Sequence, residues 1–521
     1  MTTRNSAAVS TPRRRAGLEV RSIDWIPLEE RHGKARQQGP FWFLTNFHPL
    51  TVALGLLGPS LGLSLGWAIL ASTVGVLFGT AFQALHGSQG PNLGLPQIIQ
   101  SRAQLGYRGI IVILFAGLFI FVGFNVIDTI LISDGAHTLF GWNKTATGLS
   151  IGLLAILLAV WGHDWLHRAF QVLFWLSLPL WLLLTFGIFT GHAGGHHNPA
   201  LGFNITAFAT MFTLAASYNI TYAPIVSDYT RYLPEKVSSR ALILYVYLGA
   251  SVSAIWMFAL GAWLGARFGA TGPFAGVHDA SDHVLAGSGS LLVFLGGLAL
   301  IAVMGVQNYS AALTVLTAVN CFHPARSTTR RRVYLSVLLG TLGTVIGVFV
   351  LRDVGATLNN AVLIMLYLLA PWTAVNLVDY FLIRRGHYNV AEILNVNSLY
   401  GRWAWRGLTA YSLGVAAEIP FMVLTFYQGP FARAISGIDI AFAVALAVAG
   451  GAFFILGRSQ RAAVPGTTAQ QVSKALLRQE LAQEPVDIAL IDRSAPIATP
   501  LTAAPLATNA ATDPYVTGEP S

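Results

Sequence analysis

Two carboxylates stand where carboxylates are costly. Asp128 lies inside "FVGFNVIDTI" and Glu418 inside "VAAEIPF", each in an apolar run with no basic residue beside it. A charged side chain at membrane depth is expensive and marks function by default. Each acid is therefore either protonated, paired with a ligand, or bonded to a backbone amide freed at a helix break. The chemistry open to such a group is proton binding. Asp128 is the first candidate for such a proton-binding group and Glu418 the second, although a structural role is the simpler reading of Glu418.

Other groupings carry less. His192, His196 and His197 in "GHAGGHHNP" imitate a metal cluster, but no carboxylate supports them, and a solvated outward loop accounts for them. No metal site and no cofactor is expected. The lone cysteine, Cys321, excludes a disulfide framework. The chain has no "GxxxxGK[ST]", which speaks against ATP-driven transport. It has no "HExxH" and no nucleophile with a base, which speaks against a membrane enzyme. A channel needs rings or filters of like groups, and the polar residues here are too few to form them.

The elements that hold the two acids are membrane helices. Of 521 residues, 54% are hydrophobic and 10% charged, against about 25% charged in a soluble protein. Twelve apolar segments are each long enough to span at about 20 residues. They cover 42–66, 67–87, 109–133, 145–162, 169–191, 205–226, 241–266, 287–319, 333–351, 359–383, 407–428 and 437–457. Only Lys144, Arg267, Arg352 and Arg433 fall in the odd-numbered connections; the other 27 of the 31 Lys and Arg fall in the tails and even-numbered connections. This is the positive-inside pattern with both termini in the cytoplasm of a multi-pass plasma-membrane protein. The net charge of +9 is thus a topology signal, and no nucleic acid is expected. Residues 1–40 form a cytoplasmic tail without a signal peptide. Residues 41–458 form the membrane domain, and 459–521, rich in Ala, Pro and Thr, a disordered cytoplasmic tail.

Two segments are interrupted. The first, "FWFLTNFHPLTVALGLLGPSLGLSLGW", contains His48-Pro49 and Gly58-Pro59; the sixth, "TLAASYNITYAPIVSDYTRYLP", contains Asn219 and Pro224. Proline removes a backbone donor. In lipid the carbonyl it frees needs another partner, so a break is tolerated only in packed protein or beside a cavity. Either these are ordinary kinks, or they mark a transporter's central site in two inverted repeats. Breaks in the first and sixth segments fit two inverted five-helix repeats followed by two further helices.

These residues resemble the nucleobase–cation symporters, the purine–cytosine permease family. The resemblance runs through "WFLTNFHPLTVALGLLGPSLGL", "GPNLGLPQIIQSRAQLGYRG", "SDYTRYLP", "QNYSAAL" and "NLVDYFLIRRGHY", roughly over 22–458. It implies an all-α LeuT-like fold and secondary active uptake of nucleobases or related rings such as hydantoins and allantoin. The family holds its ligand between aromatic rings on helices three and six, and reads the ring edge from helices one, three and eight. On helix three its tryptophan and amide fall on Phe124 and Asp128, which share one face at i,i+4. On helix six its tryptophan falls on Tyr222, beside the unwound backbone of Thr221; Tyr222 could equally be a packing residue. On helix eight its asparagine falls on Gln307, with Asn308 turned elsewhere. On helix one, Asn46, Phe47 and His48 line the break, His48 as a ligand or as a backbone cap. Asp228 and Arg231 resemble a gate or an anchoring ion pair.

Sodium-coupled members of the family use two helix-eight hydroxyls, and Ile301 and Ala302 occupy those positions here. Sodium wants oxygen ligands, so the departure implies a coupling proton, with Asp128 and then Glu418 as its candidate carriers. The expectation is a proton-coupled importer of a heterocycle, with a sodium-coupled symporter or a transporter-like receptor as the alternatives. The oligomeric state is not legible.

Overall fold

Proline chemistry predicts the first break, and the computed structural model of the chain places it there. The structure describes residues 23–161, 163–195, 202–270, 272–323, 329–350, 354–458 and 467–483. Helix α1 (Gln38–Leu44) stops, Thr45–His48 unwinds, and α2 (Pro49–Ser60) restarts at an angle of 62°. Pro49 is the first residue of α2, where its missing N–H costs nothing. The sixth segment breaks in the same way. Helix α7 (Ile205–Ile220) ends, Thr221 and Tyr222 form a turn, and a 3-10 turn at Ala223–Ile225 leads into α8 (Val226–Thr230).

In chain order the longer helices between and beyond the two breaks are α3 (Leu65–Gly87), α4 (Ile111–Phe140), α5 (Lys144–Trp161), α6 (His163–Phe189), α9 (Ser239–Phe268), α10 (Ser288–Phe322), α11 (Thr329–Phe349) and α12 (Val354–Leu377), which continues as a π-turn to Ile383. After them come α13 (Trp405–Glu418), α14 (Ala441–Gly457) and α15 (Thr467–Gln483). Among the described residues eight helices are long and apolar enough to cross a bilayer, or nine with the bent α1–α2 pair as one span. The sixth, eleventh and twelfth segments are shorter than expected. Thr221 interrupts one, Pro420 ends α13 in a 3-10 turn, and α14 has 17 residues.

Two groups of helices pack against each other. Helices α1, α2, α3, α7 and α9 form one; α4, α5, α10 and α11 form the other, with α12 against both α4 and α7. Small residues set the first group's spacing, as is usual where lipid supplies no hydrophobic drive. A Cβ on Gly79 of α3 would overlap the Ala216 carbonyl of α7, and one on Gly261 of α9 the Val52 carbonyl of α2. In the second group Asn125 Nδ2 donates to Asn308 Oδ1 at 3.0 Å. Gly343 of α11 leaves room there, since a Cβ would stand 2.7 Å from Asn125 Oδ1.

The tails depart from expectation. Trp25, Ile99, Tyr388 and Leu477 share one buried cluster, so both tails pack on the same face. Within the tail expected to be disordered, Thr467–Gln483 form helix α15, whose Lys474 donates to the Asn92 carbonyl at 2.8 Å and to Glu235 at 2.5 Å. Burial lowers the Lys474 ammonium from its ordinary value, with Glu235 opposing. Arg31 nearby falls to about 10 for the same reason, against Glu235 and Glu29.

Candidate functional site

The two breaks meet at Thr45. Its carbonyl would bond the N–H four residues on, and that residue is Pro49, which has none. Two side chains take the place of the lost donor. His48 Nε2 donates to the Thr45 oxygen at 2.8 Å, and the Tyr222 hydroxyl donates to it at 3.0 Å from the other break. Pro224 likewise cannot serve the Ile220 carbonyl. The unwound turns are thus tied to each other by these two side chains.

A cavity of about 850 Å³, counting the part open toward solvent, lies against these turns. Helices α1 and α2 supply Trp42, Thr45 and His48; α4 supplies Phe121 and Phe124; α7 and the following turn supply Tyr218, Thr221 and Tyr222; α10 supplies Gln307 and Tyr309. Its walls are mostly rings. Trp42 and Tyr222 meet edge-on with centroids 6.1 Å apart, Tyr218 and Tyr222 at 5.7 Å. Aromatic walls with a few convergent polar groups suit a flat, partly polar ligand. The Tyr218 hydroxyl is 2.8 Å from Thr51 Oγ1 and 3.3 Å from the Tyr222 hydroxyl, so the tyrosines form one chain down to the Thr45 carbonyl.

Of the residues expected from sequence, Phe124, His48, Thr221, Tyr222 and Gln307 line this cavity together. Asp128 does not reach it. The carboxylate is fully buried one layer back, where Gln307 Nε2 donates to its Oδ2 at 3.0 Å. Its Oδ1 and Gln307 Oε1 are buried without partners among the described residues. The residue that faces the cavity on this side is therefore Gln307, because α10 brings the longer amide in front of the shorter acid.

Asn46 and Phe47 turn away, which corrects their placement on the cavity. Asn46 Nδ2 donates to the Ala250 carbonyl at 3.0 Å, with Asn219 Oδ1 at 3.4 Å. Asn219 in turn donates to Thr80 Oγ1 at 2.7 Å, which ties the first break to α3, α7 and α9. Phe47 packs among Phe43, Phe174, Trp181 and Trp256. Both are scaffold.

Ala302 packs against Leu44 and Phe170 in an apolar cluster, and Ile301 is buried. Glu418 ends α13 away from the cavity, fully buried, its two oxygens without partners among the described residues. Asp439 is buried in the same peripheral region and accepts from Tyr367. Asp228 accepts from the Gln97 N–H at 2.9 Å, and Arg231 Nη1 donates to the Asp24 carbonyl at 3.1 Å. Those two anchor α8 to its neighbours. His192 is exposed, 2.9 Å from Thr190 Oγ1, while His196 and His197 lie outside the described residues. No group of three or more His, Cys, Asp or Glu that would hold a metal occurs among the described residues.

The sequence reading missed Trp42, Phe121, Tyr218 and Thr45. Helical spacing carried a signal for two: Phe121 is three residues before Phe124, and Tyr218 four before Tyr222. For Thr45 the signal was its distance of four from Pro49.

Comparison with known proteins identifies the family and the fold. The family described as permeases for cytosine/purines, uracil, thiamine and allantoin matches residues 25–445. YxlA of Bacillus subtilis (strain 168), which bears the name of a purine-cytosine permease, is 35% identical over 444 residues, covering 84% of this chain and 96% of YxlA. The purine-cytosine permease fcyB of Emericella nidulans is 24% identical over 470 residues, 84% of this chain and 88% of that one. The fold is similar to that of Mhp1, a nucleobase-cation-symport-1 family transporter, solved closed with bromovinylhydantoin bound. The TM-score is 0.68 at 16% identity, over 88% of this chain and 99% of Mhp1. The chain belongs to the purine-cytosine permease family, a multi-pass membrane transporter and not an enzyme.

Proposed function

We propose that this permease imports a nucleobase or a related heterocycle, such as a hydantoin or allantoin, by alternating access across the plasma membrane. Its driving force is the proton gradient, its two termini are cytoplasmic, and its twelve spans include the short helices of segments six, eleven and twelve. The ligand stacks between Phe124 and Tyr222; Gln307, His48 and the open backbone at Thr221 read its edge. The observation that carries the reading is the buried Asp128 in contact with the cavity's Gln307 and with no basic partner among the described residues. A proton is the cation such a group holds, whereas Ile301 and Ala302 offer sodium no side-chain oxygen.

The test is uptake in proteoliposomes. A thermal-shift screen of purines, pyrimidines, hydantoin and allantoin first selects a ligand, since binding stabilises by mass action. Labelled ligand should then accumulate on an inward proton gradient with sodium replaced by choline. Accumulation only on a sodium gradient overturns the coupling, and a chain that binds but exchanges nothing across the bilayer is a receptor.

A further inference from the structure

Asp128 touches the ligand space only through Gln307, and that arrangement has a sign. An ionised carboxylate is acceptor-only. Gln307 must then turn its NH2 toward Asp128, as the 3.0 Å contact from Nε2 to Oδ2 shows. The amide atom left for a ligand is Oε1, which is buried and has no partner among the described residues. A proton on Asp128 supplies an O–H donor. The amide is then free to turn over, with Oε1 accepting from that hydroxyl and the NH2 facing the cavity.

The geometry points to a polarity switch: the proton state of Asp128 decides whether Gln307 offers the ligand a C=O or an NH2, and the transported ring carries an exocyclic carbonyl at that edge. The second half rests on the proton-coupled reading above. A symporter binds its ligand more tightly when the proton is bound, and linkage makes the effect reciprocal. Since NH2 toward the cavity requires the proton, the ligand must accept there. A ring with an amino group at that edge suits the ionised form and would be linked to proton release. Asp128 is thus a positioning residue for Gln307, and oxo-heterocycles are the favoured substrate class.

Other groups do not set the sign. Tyr218 and Tyr222 of the sixth segment face the acid, but their hydroxyls are committed to Thr51 and to the Thr45 carbonyl. His48 Nε2 donates to that same carbonyl. Asn125 and Asn308 beside it are amides bonded to each other. No Lys, Arg or second carboxylate among the described residues acts on Asp128.

The test uses the full chain in nanodiscs and two matched probe pairs, hypoxanthine with adenine and uracil with cytosine. Calorimetry in buffers of different ionisation enthalpy counts the protons bound with each probe between about pH 5.5 and 8.5. In the native protein the oxo member should bind with uptake of up to one proton, its affinity falling by up to about tenfold per pH unit. The amino member should show a flat or opposite trend. Asp128→Asn should abolish proton uptake and flatten the profile. Gln307→Met, of similar length without hydrogen bonds, should lose both the profile and the oxo preference, and it stands in if the Asn variant does not fold. Proton uptake that persists in either variant overturns the switch, as does oxo binding without proton uptake in the native protein; both leave heterocycle transport standing. Failure of every probe, together with hydantoin and allantoin run in the same titration, to bind at any pH removes the heterocycle reading, and the switch falls with it.

Discussion

Tyr222→Phe and Tyr222→Ala should separate the two tasks of that side chain. Its hydroxyl donates to the Thr45 carbonyl at 3.0 Å, and His48 Nε2 donates to the same oxygen at 2.8 Å. Removing the hydroxyl therefore leaves the carbonyl one partner and orphans no buried acceptor. The loss should stay near the low end for a single hydrogen bond, about 0.5–1 kcal/mol, or roughly two- to fivefold in Kd. Tyr222→Ala also removes a ring that lines the cavity and meets Trp42 and Tyr218 edge-on. Stacking of a base on an aromatic side chain is worth about 1–3 kcal/mol. The Ala variant should thus lose about 1.5–4 kcal/mol, or roughly tenfold to several hundredfold in Kd. Equilibrium binding of a labelled ligand in nanodiscs measures both, with the unfolding temperature of the ligand-free protein as the control for folding. A Phe variant as weak as the Ala variant would mean that anchoring of the break dominates and that stacking does not. An Ala variant within twofold of the native protein, folded normally, removes Tyr222 from the ligand.

Phe124→Ala carries no hydrogen-bond penalty and should cost only the stacking share, about 1–3 kcal/mol by the same binding assay. Asp128→Asn keeps shape and an acceptor but cannot titrate in the working range; it should still exchange ligand across proteoliposomes while failing to concentrate it on a pH gradient. Accumulation by that variant would move the proton elsewhere, with Glu418 the next acid to test. Gly79→Val should destabilise the fold by about 1–3 kcal/mol, seen as a lower unfolding temperature, because its side chain meets the Ala216 carbonyl of α7.

What could be read from sequence was what is local. Both breaks were legible because proline removes a donor at a known distance, so Pro49 and Pro224 name the carbonyls they free. Phe124 was legible because helical spacing fixes which neighbours share its face. Asn46 and Phe47 were misplaced because consecutive residues in an unwound stretch have no period from which to read a direction. Asp128 was correctly found as a buried acid but placed one layer too far forward. Which of two side chains on facing helices stands in front depends on their rotation and register, and no spacing within one helix contains that. The helix at Thr467–Gln483 was hidden by averaging over a tail whose far end is rich in Pro and Thr. Its buried residues Gln470, Ser473, Lys474 and Leu477 fall at i, i+3, i+4 and i+7.

The placement of the cavity bears on how a ligand would drive the cycle proposed above. His48, Thr45 and Tyr222 belong to the group of helices built around the two breaks, held by the Asn46–Asn219–Thr80 chain. Phe124 and Gln307 belong to the other, where Asn125 bonds Asn308 across α4 and α10. That bond fixes register one residue from Gln307 and three from Asp128, and a one-residue slip would rotate either side chain by about 100°. Each half of the site is thus braced by hydrogen bonds within its own body, and in the alternating-access reading one body moves against the other. A ligand shifts such an equilibrium only through contacts that differ between its states. A ring stacked on Tyr222 alone would ride with one body and bias nothing. One held between Tyr222 and Phe124, and read by Gln307, spans the seam, so its binding energy depends on how the bodies meet. If the proton acts through the same amide, as proposed above, the ligand's and the cation's influence fall on one contact between the two halves.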